Sequence, residues 1–184
     1  MILSCQNINK AFHEKQVFKN CSFHIEDHEK AAIVGINGAG KTTLLRIIVG
    51  ELEADSGQVV FGKDTSYGYL AQNAETDSEH TIYDELLEVK KDVILLEEKI
   101  RSCELEMRHV EGDALTALME QYALYTHQFE QADGYSYKSE ITGVLKGLGF
   151  TEEEFSKQAS TLSGGQKTRV ALGKLLLRKP DLII

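Results

Sequence analysis

Gly35-Ile36-Asn37-Gly38-Ala39-Gly40-Lys41-Thr42 is the stretch that decides how this chain is read. It matches G-x-x-x-x-G-K-[ST] in full, and its flanks suit it. The apolar run Ala31-Ala32-Ile33-Val34 before it predicts a strand, and residues 41–49 after it predict a helix closed by Gly50. Glycines in this pattern let the backbone N–H groups from Asn37 through Gly38, Ala39 and Gly40 turn inward around phosphate oxygens, and the helix behind them adds the positive end of its dipole. Lys41 can then reach the β- and γ-phosphates, the Thr42 hydroxyl is placed to ligate Mg²⁺, and Thr43 has a weaker claim on the α-phosphate. The expectation is a nucleotide site.

Working outward, residues 1 to about 72 read as short strands punctuated by glycine: residues 2–5, 17–18, 21–25, 31–34, 59–61 and 65–70, with the helix 41–49 among them. From Thr81 the spacing changes. Ile82, Leu86, Val89, Val93, Leu96, Ile100, Cys103, Met107 and Val110 follow alternating steps of four and three, a heptad seam. Thr81 and Asp84 form a capping pair at its start. Glu111-Gly112-Asp113 supplies a turn, after which Leu115, Leu118, Tyr122, Tyr125 and Phe129 repeat the pattern. Two antiparallel helices are expected, the first about 43 Å long if unbroken. They form either a hairpin projecting into solvent or an ordinary helical subdomain packed on the sheet, and the charge load favours the hairpin. Beyond Gly134 come a helix ending near 145–150, a short helix opened by residues 151–154, a longer one from Ser163 to Arg178, and a buried strand beginning at 181–184.

Composition narrows the class. The chain has 184 residues, a formal charge of −9 and one proline, enough to bury the core of one domain. No apolar run approaches the roughly 18 residues that cross a bilayer, and the amino terminus lacks a signal-peptide pattern. Cys5, Cys21 and Cys103 are odd in number and widely spaced, which offers no disulfide framework or zinc site, and the six histidines show no metal spacing. A reducing cytoplasm is the expected compartment. Residues 75–131 hold fifteen carboxylates against five basic side chains, whereas the remainder is almost neutral. Such a segment is a poor counter-ion for nucleic acid, so any RNA contact would use local basic spots.

A second signature stands downstream, Leu162-Ser163-Gly164-Gly165-Gln166. Ser163 and Gln166 have the spacing of a capping box, but capping does not ask for two glycines. Gly164 and Gly165 strip side chains from a helix start, exposing N–H groups and a hydroxyl that could meet an outside anion.

Together these motifs make the chain resemble an ATP-binding cassette domain, in which a phosphate loop, a glutamine loop and the signature follow in that order. The resemblance implies a P-loop ATPase α/β sheet core with an antiparallel β-subdomain and a helical subdomain bearing an inserted hairpin. Gln72, in Tyr69-Leu70-Ala71-Gln72, is then the glutamine that approaches Mg²⁺ and the attacking water, and Phe12 is the aromatic that stacks on adenine. Phe12 could equally be a core residue at a strand end. The 91 residues from Gln72 to Ser163 exceed what membrane transporters usually carry, and with residues 129–135, 144–150 and 162–172 they are similar to the ABC-F group. Those are soluble two-cassette proteins, several acting on the ribosome as translation factors or antibiotic-resistance proteins. The division expected is a nucleotide-binding core over 1–74, the hairpin over 75–133, and the signature region with the start of another strand over 134–184.

ATP in such proteins is sandwiched between one cassette's phosphate loop and the signature serine and glycines of another, so a second cassette is the implied partner, and the ribosome or its RNA a further one. The resemblance also calls for an aspartate, a general-base glutamate and a switch histidine after the last strand. None is present, and Asp181 stands at the strand's start, so the chain reads as a cassette fragment that binds ATP weakly without turnover. Alternatives are the ATP-binding subunit of a membrane transporter and a non-catalytic interaction module; a chromosome-organising coiled-coil ATPase fits less, since the hairpin is short.

Overall fold

The computed structural model describes residues 1–13, 15–71 and 78–184. It divides into two compact units, Met1–Tyr69 with Pro180–Ile184, and Leu70–Lys179.

The first unit is built on β1 (Leu3–Phe12), paired antiparallel with β2 (Lys15–Ile25) on one side and with β3 (Ser56–Phe61) on the other. Alternation puts Leu3 and Cys5 on the inner face, and a register shift past Asn7 brings Ile8 to the same face. The helix α1 (Lys41–Ile48) packs there because Leu44, Ile47 and Ile48 share one stripe, and all are buried. A second, parallel sheet joins β4 (Tyr67–Gly68) to β5 (Leu182–Ile183). It is fastened by Asp181, whose carboxylate accepts from the Ser66 hydroxyl (2.7 Å) and the Ser66 N–H (2.8 Å); those bonds hold its carboxyl below the usual range.

The second unit is helical. Ile82 and Leu86 of α2 (Ile82–Leu87), Ile141 and Leu145 of α5 (Tyr137–Gly147) and Val170 of α6 (Gly164–Arg178) are all fully buried in one cluster. Gly173 lets α6 approach closely: a Cβ there would lie 3.1 Å from Leu148 and 3.2 Å from Leu86. Between α2 and α5 run α3 (Lys91–Glu106) and α4 (Gly112–Gln131). Their facing residues match the expected seam, with Val93, Cys103 and Phe129 buried and Leu96, Ile100, Leu118 and Tyr122 partly so. The capping pair at α2 is present: Asp84 N–H donates to Thr81 Oγ1 (3.1 Å), and Thr81 Oγ1 donates to Asp84 (2.7 Å).

Three expectations are corrected. Residues 31–34 form no strand, because no neighbouring strand among the described residues offers hydrogen bonds, and a strand without a partner is not a stable element. The strand expected over 65–70 shrinks to Tyr67–Gly68, the length its pairing with β5 supports. The first heptad helix is not continuous. It breaks at a 3₁₀ turn, Glu88–Lys90, where Leu86 is held in the core and Lys90 reaches Glu140 on α5 (2.7 Å), so tertiary contacts override the local period. The sixteen residues of α3 then span about 24 Å.

Candidate functional site

In the first unit, the turn from residue 35 to α1 is held by backbone conformation. Gly38 has φ +80° and Gly40 φ +96°, both in the left-handed region that side chains resist. Gly40 is further constrained by space, since a Cβ there would stand 2.4 Å from Val17 Cγ1 and 2.8 Å from Phe18 Cζ. The β2 residues Val17 and Phe18 therefore press directly on the loop. Space beside Gly38 is open, and Gly35 sits 3.3 Å, measured from a built Cβ, from Ala39.

The helix start that follows has no side-chain cap and no acidic residue in its first turn. A helix beginning this way presents N–H groups and a positive dipole end to whatever lies outside. Lys41 extends along the loop, its ammonium donating to the carbonyls of Gly35 (2.7 Å) and Ile36 (2.9 Å). Thr42 is exposed and Thr43 half-buried on the same first turn, and Asn37 is exposed in the loop. These features fit a polyanionic phosphate chain: Gly38 and Gly40 admit no Cβ without strain, and the charge in the first turn of α1 is the cationic Lys41. No group of three or more His, Cys, Asp or Glu among the described residues could hold a metal ion. Magnesium, which favours phosphate oxygens plus one or two protein oxygens, would rely on the Thr42 hydroxyl here.

Phe12 ends β1 next to the hairpin turn, paired with Lys15 and two residues from Lys10, whose ammonium lies 5.5 Å from its ring centroid. It is 44% exposed, not a core residue. Gln72 lies outside the described residues.

In the second unit, Ser163 is the N-cap of α6 and a full capping box is formed. Ser163 Oγ and Ser163 N–H donate to Gln166 Oε1 (3.1 and 3.0 Å), and Gln166 N–H donates back to Ser163 Oγ (3.4 Å). Gly164 and Gly165 are exposed, and nothing lies within 4 Å of a Cβ built on either. Leu162, in contrast, is buried and anchors the motif to the core. The same serine and glutamine thus cap the helix while leaving its mouth bare of side chains.

Sequence reasoning passed over the buried charge behind this helix. Glu85 of α2 is 2% exposed and is bonded to Lys174 of α6 and to the Ser78 hydroxyl, with His80 Nδ1 3.9 Å away. Burial pushes the carboxyl up, but the Lys174 ammonium and the Ser78 hydroxyl outweigh it and hold it below the usual range. Backbone bonds continue the link, from Ala159 N–H to His80 O (2.9 Å) and Ser160 N–H to Ser78 O (3.2 Å). Residues 78–80 are thereby tied to residues 159–160, just before the signature. Glu85 looked like one more carboxylate of an acidic region; the signal that sets it apart is its place beside Leu86 on the apolar face of α2.

Among the described residues, no helix is long and apolar enough to cross a membrane. Residues 18–184 match the family model described as ABC transporter. The chain is 41% identical, over its whole length, to the Bacillus subtilis protein described as "Putative ATP-binding protein YdiF", of which it covers 29%. Over 99% of its length it is 33% identical to the tylosin resistance ATP-binding protein TlrC of Streptomyces fradiae, covering 33% of that protein. Over 97% it is 31% identical to ABC transporter F family member 5 of Arabidopsis thaliana, covering 26%. The chain thus spans about a third or less of each of these relatives. A solved ATP-binding subunit of an ABC transporter superposes with a TM-score of 0.66 at 17% identity, over 100% of this chain and 65% of that one, which shows the fold. With the phosphate loop, the bare-mouthed signature helix and the helical unit each in place, the chain belongs to the ABC transporter family of ATP-binding domains.

Proposed function

We propose that the chain binds ATP with Mg²⁺ through residues 35–43 and belongs to an ABC-F type ATPase that acts on the ribosome. The observation that carries the nucleotide half is the helix start at Gly40, locked open by positive φ and by Val17 and Phe18, with Lys41 and no acidic residue in its first turn. On this reading Lys41 exchanges the Gly35 and Ile36 carbonyls for the β- and γ-phosphates, Thr42 supplies the protein oxygen for magnesium, and Thr43 meets the α-phosphate. The metal, when bound, neutralises phosphate charge. Phe12 offers its exposed face to the adenine ring, and Gln72 orients water near the metal. Ser163, Gly164 and Gly165, backed by Gln166, cover the γ-phosphate held by a second cassette, so two cassettes form each complete site.

The ABC-F half rests on the α3–α4 hairpin between Gln72 and Ser163 and on relatives whose names include an F family member and a tylosin resistance protein. For the polypeptide 1–184 on its own, the same reading expects weak nucleotide binding and negligible turnover. Phosphate release from ATP by purified 1–184, abolished in Lys41→Ala, would contradict that last statement. Co-sedimentation of the encoding gene's full product with ribosomes in the presence of a non-hydrolysable ATP analogue is the expected result for the ABC-F reading. Co-purification with membranes instead would replace it by a transporter subunit.

A further inference from the structure

The chain holds five asparagines, and one of them, Asn37, is followed by glycine. The three others among the described residues are fastened. Asn9 Nδ2 donates to Asn7 O (2.8 Å), Asn20 Oδ1 (3.3 Å) and Ser56 Oγ (3.0 Å), and Asn7 Oδ1 accepts from Ser22 Oγ (3.3 Å). The residues that follow them, Ile8, Lys10 and Cys21, lie within the paired strands β1 and β2. Asn37 has no such restraint. Among the described residues no hydrogen bond holds its side-chain amide or the Gly38 N–H, and both residues are exposed.

An asparagine or aspartate followed by glycine can close a five-membered ring on the glycine nitrogen, because glycine has no side chain to hinder the approach. Asn37 and Gly38 are the central pair of a turn closed by one bond, from Ala39 N–H to Ile36 O (3.2 Å), so little has to open before the Gly38 nitrogen can swing toward the Asn37 side chain. Gly38 has φ +80°, and a Cβ built on it meets nothing within 4 Å. The second unit supplies a contrast at Asp133-Gly134. There the glycine N–H donates to Phe129 O (2.8 Å), and the Phe129 ring packs directly against Gly134. That nitrogen is held in place, and the one at Gly38 is not.

We propose that Asn37 is a site of deamidation and that its conversion disables the phosphate loop. The Gly38 nitrogen attacks Asn37 Cγ and forms a C–N bond, which closes a succinimide. Its N–H proton passes through solvent to the departing amide, and ammonia leaves. Water then adds to one of the two ring carbonyls and breaks its C–N bond, giving aspartate or isoaspartate, the latter with one more methylene in the main chain. Either product sets a carboxylate where the loop N–H groups and Lys41 face phosphate, so like charge opposes the ligand. The longer main chain of isoaspartate also displaces the Gly38 and Ala39 N–H groups. The disabling rests on the nucleotide reading of residues 35–43, whereas the chemistry at Asn37 does not.

The test keeps the full product of the encoding gene in warm, mildly alkaline heavy-oxygen water, folded or unfolded in guanidinium. Trypsin, cutting after Lys30 and Lys41, releases residues 31–41 with Asn37 as their single asparagine, and mass spectrometry follows the exchange of amide for acid. Amide loss at Asn37 in the folded protein is expected to stay within about fivefold of its unfolded rate, whereas folding slows the loss at Asn7, Asn9 and Asn20 by at least about tenfold. Slowing of more than about fivefold at Asn37 would overturn the proposal. A non-hydrolysable Mg-ATP analogue is then added, and amide hydrogen exchange is read over residues 38–43. It is expected to slow by at least about tenfold in the unsubstituted protein and to lose most of that slowing in Asn37→Asp. Equal slowing in both would overturn the disabling. No slowing in either, beside fast amide loss at Asn37, would overturn the nucleotide reading and the disabling with it, and leave the modification site standing.

Discussion

The chain has two glycine-rich helix starts, and they are built on opposite plans. At α1 the glycine is demanded by the fold: Gly40 sits at φ +96° with Val17 and Phe18 against it, and no side chain caps the helix. At α6 the fold demands nothing of the kind. Gly164 and Gly165 are helical, surrounded by open space, and the helix is already capped by Ser163 and Gln166. Glycine in a helix costs up to about 1 kcal/mol relative to alanine, so the pair at α6 is a stability loss with no local return. The comparison teaches that glycine is required by backbone geometry at one start and leaves the helix mouth bare at the other, a contrast that fits the two different roles proposed for them.

The largest expected effect lies behind the second start. Glu85→Ala leaves Lys174 in place beside the core without its buried partner, and should destabilise the helical unit by about 3–5 kcal/mol in urea unfolding. The same pair gives a pH dependence. The folded Glu85 carboxyl lies below its ordinary value, so its contribution is complete above that ordinary value and drains away as pH falls through the folded one. Stability should therefore drop below about pH 4, and the drop should be shallower in Glu85→Gln. An unchanged acid limb would show that the pair adds nothing.

Next in size is Gly40→Ala, which should cost about 2–3 kcal/mol in thermal unfolding from strain and from the contact with Val17. A loss under about 0.5 kcal/mol would mean that the first start is not locked after all. Ser163→Ala removes the cap of α6 and should cost about 1 kcal/mol, with Ser163→Asp restoring most of it. Gly165→Ala is the smallest effect and the most telling, because it should stabilise chain 1–184 by up to about 1 kcal/mol. A destabilising Gly165→Ala would erase the contrast between the two starts.

Much of this was legible in the sequence because the deciding signals are local. The octet at 35–42, the capping pairs at Thr81–Asp84 and Ser163–Gln166, and the three/four spacing of α3 and α4 each depend on residues within a turn or two of one another. What escaped were features set by distant partners. Residues 31–34 have the composition of a strand, yet pairing is a property of two segments, and neither neighbour is supplied by the described residues. The break at Glu88–Lys90 follows from Lys90 finding Glu140 fifty residues on. Glu85 was invisible for the same reason, since only the fold brings Lys174 and Ser78 to it.

Isothermal titration of Mg-ATP into chain 1–184 tests the central claim most directly. The account predicts saturable binding that weakens at least about tenfold, or 1.4 kcal/mol, in Lys41→Ala while the unfolding midpoint stays near that of the unsubstituted chain. Equal heats from the two chains, or none from either under conditions where both are folded, would contradict it.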